Sequence, residues 1–195
     1  MSESTALKAD RDGALSGVTR IHTLGPSGTN LEKAAHHWFA ERGVAGTVLL
    51  HSEVEDGLDV MGFDGSEAIL ACAVYPRLHD LVFGNLHRLE MVDSFILDTH
   101  DMVLAGRPDD DTAVRTIVSH PAPSCLVADR GTVTLASSNS RAAALCAAGE
   151  FDACVTTGRA AQAEGLRVLE NFGPVPMVFT LHVGKPVAGS TAGTV

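Results

Sequence analysis

Leu24-Gly25-Pro26-Ser27-Gly28-Thr29-Asn30 is the stretch whose reading decides the fold. An apolar run, Val18 to Leu24, precedes it. A helical pattern follows, with Leu31, Ala34, Ala35, Trp38 and Phe39 at i, i+3, i+4, i+7 and i+8. The stretch therefore reads as strand, tight glycine turn and helix N-terminus. Gly25 and Gly28 open backbone angles closed to other residues. Pro26 fixes the turn, and Ser27, Thr29 or Asn30 can cap the helix. The unpaired N–H groups of the first turn and the helix dipole favour an anion, a carboxylate or a phosphate. Known phosphate loops do not fit: no Lys-Ser/Thr follows the second glycine, and GxGxxG is absent. The plain alternative is a well-capped turn with no ligand.

A chain of 195 residues suggests one domain, or two small lobes sharing a core. With 45% hydrophobic and 19% charged residues it is globular. A net charge of −10 argues against nucleic acid as a partner, since that footprint is basic. It leaves room for an anionic small molecule, because a pocket is set by local dipoles and a few Arg. No apolar run approaches the ~20 residues of a membrane span. Residues 1–17 lack an apolar signal core and read as a flexible leader of a cytoplasmic protein. Cys72, Cys125, Cys146 and Cys154 form no CxxC pair and sit in apolar segments, as small buried residues do. His36 and His37 are adjacent and point to different sides of their helix, and HExxH is absent. The expectation is no metal and no cofactor.

Beyond the first helix, Thr47 to His51 is a short β-rich run and Val54 to Val60 a brief helix. Glu67 to Val74 is a continuous apolar run, as in a strand covered on both faces, and Tyr75-Pro76 breaks it. Arg77 to His87 reads as less regular. Leu89 to Thr99, broken by Asp93, reads as an extended connection and a strand, and Asp101 to Gly106 as another strand. Arg107 to Asp111 is an exposed turn. The second half then alternates. Strands at Thr116–Ser119, Thr132–Ala136 and Ala153–Val155 precede helices opened by His120-Pro121-Ala122-Pro123, Ser137-Ser138-Asn139-Ser140 and Thr156-Thr157-Gly158, and Arg167–Leu169 closes the series. Such alternation predicts a parallel sheet with ligands beyond the carboxyl ends of its strands. Small hydroxyl or amide residues at all four strand-to-helix junctions favour an anion pocket. Residues 184–195 read as a flexible tail.

Taken together, the junctions resemble a known family. Leu24 to Thr29 followed by Glu32 and Ala34-Ala35 resembles the opening motif of prephenate dehydratases. Ser119-His120-Pro121 with Cys125, Ser138-Asn139-Ser140 before Ala142-Ala143, and Ala153 to Ala161 with Gly165-Leu166 are similar to their later motifs, in order and spacing. The resemblance spans about Ile21 to Val183 and implies an α/β, two-lobed fold of the type II periplasmic-binding-protein kind. It places lobe 1 at about 18–98 plus 176–183 and lobe 2 at about 99–175, with prephenate in the cleft. The family's Thr-Arg-Phe motif, tied to loss of the ring hydroxyl, is replaced by Pro174-Val175-Pro176-Met177-Val178-Phe179-Thr180. Its Pro-x-Glu-Asn-Ser motif is also missing, with Val74-Tyr75-Pro76-Arg77-Leu78 near that place, and the chain has no room for an ACT regulatory domain. These departures resemble the bacilysin-type prephenate decarboxylases, which remove the ring carboxylate without aromatising the ring.

The resemblance sets the chemistry. Both reactions expel carbon dioxide. The dehydratase pushes out hydroxide with help from a proton donor, whereas the decarboxylase protonates a ring carbon and keeps the hydroxyl. Ser27, Gly28 and Thr29 at one helix start, and Ser138, Asn139 and Ser140 at another, are expected to hold carboxylates through backbone N–H groups, with Ser119 and Thr157 at neighbouring junctions. Arg141 either pairs with a carboxylate or stands on the surface. His120 is the first candidate for moving the proton, since histidine titrates near neutrality, or else it orders the Pro121 turn. Tyr75 and His79 are further candidates. Met177 is expected to back the site with an apolar surface. Alternatives are a true dehydratase giving phenylpyruvate and a non-catalytic small-anion binding protein. A homo-oligomer is compatible with either.

Overall fold

The structure, a computed structural model, describes residues 15–110 and 113–185. Most of the expected leader, the end of the expected tail and Asp111 lie outside the described residues. In chain order the strands are β1 (Arg20–Leu24), β2 (Thr47–His51), β3 (Glu67–Cys72), β4 (Leu89–Asp98), β5 (Met102–Gly106), β6 (Thr116–Ser119), β7 (Thr132–Leu135), β8 (Ala153–Thr157), β9 (Arg167–Gly173) and β10 (Pro176–Gly184). The helices are α1 (Asn30–Arg42), α2 (Val54–Val60), α3 (Leu78–Gly84), α4 (Asn139–Ala147) and α5 (Gly158–Ala163). The chain divides into two compact units. Of the described residues, 15–27, 31–97 and 177–185 form one; 28–30, 98–110 and 113–176 form the other.

The first unit is built on a sheet of order β2-β1-β3-β10-β4. β1 runs parallel to β2 and β3, and β10 returns antiparallel to β3. β3 is covered on both faces: Ala68 and Leu70 face α1, and Ile69 and Ala71 face the cluster around α2 and α3. The five apolar positions of α1 are its five buried residues. Its last turn is pinned to β4, where Asp93 accepts a hydrogen bond from Trp38 Nε1 at 2.9 Å and pairs with Arg42 at 2.5 Å. Asp93 therefore does not break the strand, and Leu89–Asp98 is one ten-residue edge. The stretch read as less regular contains α3, whose single buried residue, Leu81, is too little apolar periodicity to mark a helix.

The second unit is built on a sheet of order β7-β6-β8-β5-β9. It is mixed rather than parallel. β6 pairs parallel with β7 and β8, but β5 is antiparallel to β8 in continuous register and to β9 with irregular register at Met102/Val103 and Leu104/Ala105. The βαβ rhythm covers only the three strands it connects. Strands that enter and leave the unit pair the other way. α4 and α5 pack on one face around Val118, Ala142, Ala143 and Ala161. The helix expected after His120 is reduced to one 3-10 turn, Ser124–Val127. Pro121 and Pro123 each lack an N–H, and Pro123 disfavours a helical Ala122. Cys146 and Cys154 are buried, but Cys125 is exposed and is no packing residue.

Candidate active site

Four of the expected groups converge on the carboxyl rim of the second unit. Ser138 is the N-cap of α4: its extended backbone lets Oγ accept the Arg141 N–H at 3.0 Å. Thr157 caps α5 in the same way, accepting the Ala160 N–H at 3.2 Å. The two helix starts are tied together, because Thr156 Oγ1 donates to the Asn139 carbonyl at 2.7 Å. Among the described residues, Asn139 Oδ1 is buried with no hydrogen-bond partner. A buried amide oxygen left in that state is a place for a ligand donor or water. Gly28 stands at φ +90, a conformation that favours glycine, and a Cβ there would lie 3.2 Å from Arg159 Nε. The opening turn thus lies against an exposed arginine at the start of α5. Asn30 Oδ1 accepts the His100 N–H at 2.8 Å, fixing the first residue of α1.

Other expected residues take different places. Ser119 is fully buried and donates to the His120 carbonyl at 2.8 Å, so its hydroxyl is committed to the turn. His120 is half-buried, and burial lowers its pKa from the usual histidine value. The Ala122 N–H donates to its Nδ1 at 3.3 Å, which leaves the ring proton on Nε2 and orders the Pro121 turn. Ser140 is half-buried in the first turn of α4, and Arg141 is exposed there. Thr29 is half-buried in the opening turn.

The remaining candidates belong to the first unit. Ser27 is exposed and donates to both carboxylate oxygens of Glu32, at 2.9 and 3.0 Å. Tyr75, in the loop after β3, donates its hydroxyl to Glu55 Oε2 at 2.5 Å. Arg77 bridges Glu53 and Glu55 at 2.6 and 3.0 Å. Burial and the Glu55 carboxylate push the Tyr75 phenol up to about 12, so the hydroxyl keeps its proton at neutral pH. His79 stands on the exposed side of α3, 3.2 Å from Asp80, and joins none of these groups. Met177 is half-buried against the core under α1, near Phe179.

A buried polar chain in the first unit has no counterpart in the sequence reading. Glu67 accepts from Arg20 at 2.7 Å, from the Gly62 N–H at 2.9 Å and from His22 Nε2 at 2.8 Å. His22 Nδ1 meets His51 Nε2 at 2.9 Å. Burial works against the Glu67 carboxylate, yet the Gly62 N–H, His22 and Arg20 hold its pKa below the usual value. The signal was faint. Arg20 and His22 alternate with apolar Ile21, which in sequence looks like an ordinary solvent face. Glu55 went unnoticed for the same reason, as one more charge on a short helix.

No protein-family model matches the chain. It is 30% identical over 186 residues to a prephenate decarboxylase of Bacillus subtilis, covering 88% of this chain and 89% of that protein. A prephenate decarboxylase of Bacillus amyloliquefaciens is 31% identical over 183 residues, 86% of this chain and 88% of that protein. Among solved structures, the periplasmic VFT2 domain of Bordetella pertussis BvgS superposes with a TM-score of 0.57 at 17% identity, covering 90% of this chain and 85% of that one. A periplasmic substrate-binding protein of a Coxiella burnetii ABC transporter gives 0.50 at 14% identity over 85% and 84% of the two chains. The fold is thus the α/β, two-sheet fold of periplasmic binding proteins. No helix among the described residues is long and apolar enough to cross a membrane.

Proposed function

This chain belongs to the prephenate decarboxylase family, and we propose that it removes the ring carboxylate of prephenate as carbon dioxide, keeps the ring hydroxyl and leaves the ring non-aromatic. The observation that carries this reading is the similarity of about 30% over nearly the whole length of two proteins bearing that name.

The site residues fit the demands of the reaction. Prephenate carries two carboxylates; the first turn of α4 leaves the Asn139 and Ser140 N–H groups without a partner among the described residues, and Arg159 beside Gly28 adds positive charge. Firm anchoring of one carboxylate leaves binding energy to act on the other, which departs more readily from a poorly solvated place. In the place of Thr-Arg-Phe the closing strand carries Met177, Val178 and Phe179, none of them an acid; Phe179 is in the core and Met177 packs against it. Without a donor, hydroxide is a poor leaving group, and protonation of a ring carbon prevails. His120, whose pKa burial lowers, and Tyr75, whose phenol is pushed up to about 12, are the alternatives for that step that the sequence suggests. We place the enzyme among carbon–carbon lyases of the cytoplasm that feed the biosynthesis of antibiotics or other secondary metabolites. Incubation with prephenate and chromatography of the product tests the reading. A dihydro-hydroxyphenylpyruvate is expected. Phenylpyruvate would return the chain to the dehydratases, and no turnover would make it a binding protein.

A further inference from the structure

Resting on the decarboxylase reading, we propose that His51 donates the proton that replaces carbon dioxide on the substrate ring, and that His22 and Glu67 are its positioning residues. The hydrogen-bond chain fixes every proton in the relay. Glu67 is a carboxylate, so His22 Nε2, 2.8 Å away, must carry the hydrogen. His22 Nδ1 is then a lone pair, and His51 Nε2, 2.9 Å away, must be the donor. This leaves the lone pair of His51 on Nδ1, which has no hydrogen-bond partner among the described residues, on a ring that is half-buried rather than enclosed. One proton can therefore be added at His51 Nδ1 without breaking a single hydrogen bond. A second would force two N–H groups together between His22 and His51. The relay is built to hold one proton.

Its position suits that task. His51 is the last residue of β2, and its register partner is Leu24, the last residue of β1. Its carbonyl accepts the Gly25 N–H at 2.7 Å, so the residue that ends the relay also holds the first residue of the opening turn. Ligands of α/β sheets gather at this carboxyl edge. α2 closes over the pair at Gly57, where a Cβ would come within 2.9 Å of His22 Cβ and 3.0 Å of His51 Cδ2. The other charges acting on the relay are Asp56 on α2, which favours the protonated ring, and Arg20, which faces Glu67. Burial and His22 outweigh Asp56 and hold the His51 pKa below the usual value.

The step balances. The bond from the ring carbon to the carboxylate breaks, and its electron pair passes into the ring diene as carbon dioxide leaves. The terminal ring carbon takes the proton from His51 Nδ1, and the neutral imidazole is reloaded from water. One proton is consumed per turnover, and no oxidant or reductant is required.

The test compares pH–rate profiles of wild type, His51→Gln and Glu67→Gln with prephenate. Wild type should lose kcat as pH rises through the His51 ionisation, because the donor must be protonated. His51→Gln should lower kcat by roughly 10²-fold or more, with KM little changed, and should abolish that limb. Glu67→Gln removes the charge that favours the protonated relay, so its limb should move to lower pH by about one unit. Circular dichroism establishes that each variant is folded, and if Glu67→Gln is not, titration of the wild-type imidazole signals by NMR replaces it: a single proton taken up by the two rings together is expected. Decarboxylation by wild type with an unchanged profile in His51→Gln, or independent titration of the two rings, would overturn the relay alone. Absence of turnover by wild type would overturn the underlying reading as well.

Discussion

Thr156 Oγ1 donates a hydrogen bond of 2.7 Å to the main-chain carbonyl of Asn139, joining the end of β8 to the first turn of α4. Thr157, the next residue, caps α5. Two adjacent side chains at one strand end thus set the starts of two helices. That bond ties the two caps at the second unit's carboxyl rim into a single array. Thr156→Val should remove it at a cost of about 1 kcal/mol in stability. The array should loosen, so KM for prephenate should rise several-fold while kcat changes little, as steady-state kinetics will show. An unchanged KM would mean that the coupling is structural only.

Thr29→Val addresses the opening turn. Hydrogen bonds to a charged group contribute roughly 1.5–3 kcal/mol each, so apparent affinity should fall about 10- to 100-fold with product identity unaltered. Wild-type affinity would remove the turn from the site.

The Tyr75 hydroxyl is held by Glu55 at 2.5 Å and keeps its proton to about pH 12. If it serves proton transfer, Tyr75→Phe should lower kcat by roughly 10²-fold with little change in KM. If kcat is retained, the Tyr75–Glu55–Arg77 cluster only ties the β3–α3 loop to α2.

His182 provides a stability test remote from the chemistry. Burial pushes its pKa from 6.5 down to about 4, with Thr180 Oγ1 3.0 Å from Nε2. The unfolded chain then binds the proton more readily than the folded one between those values. Stability is therefore complete above pH 6.5 and declines as pH falls toward 4, by up to about 3 kcal/mol. Urea denaturation between pH 4 and 7 should show this slope, and His182→Gln should flatten it. Equal slopes would place the acid sensitivity elsewhere.

Much of this architecture was legible in sequence because it rests on local signals. The apolar stripe of α1, the glycine turn before it and the Ser138 and Thr157 caps all announce themselves within a few residues. What was hidden depends on pairing across the chain. The antiparallel β5 joins β8 and β9, which lie about 50 and 65 residues further on, and no local pattern specifies such partners. The Ser27 hydroxyl bonds Glu32 and the Ser119 hydroxyl bonds the His120 carbonyl, pairings that residue type alone does not specify. The Glu67–His22–His51 chain draws on three strands separated by 29 and 45 residues. In sequence its members are a histidine in a β-run, another at a strand end and a glutamate at the head of an apolar run.

The central claim is that carbon dioxide leaves and the ring hydroxyl stays. Proton NMR of prephenate turned over in D2O by the wild-type protein tests it most directly. The account predicts a product that keeps the CH–OH ring carbon, shows no aromatic signals and carries one deuterium on a saturated ring carbon. Aromatic ring signals of phenylpyruvate as the main enzymatic product, above the uncatalysed background, would contradict it.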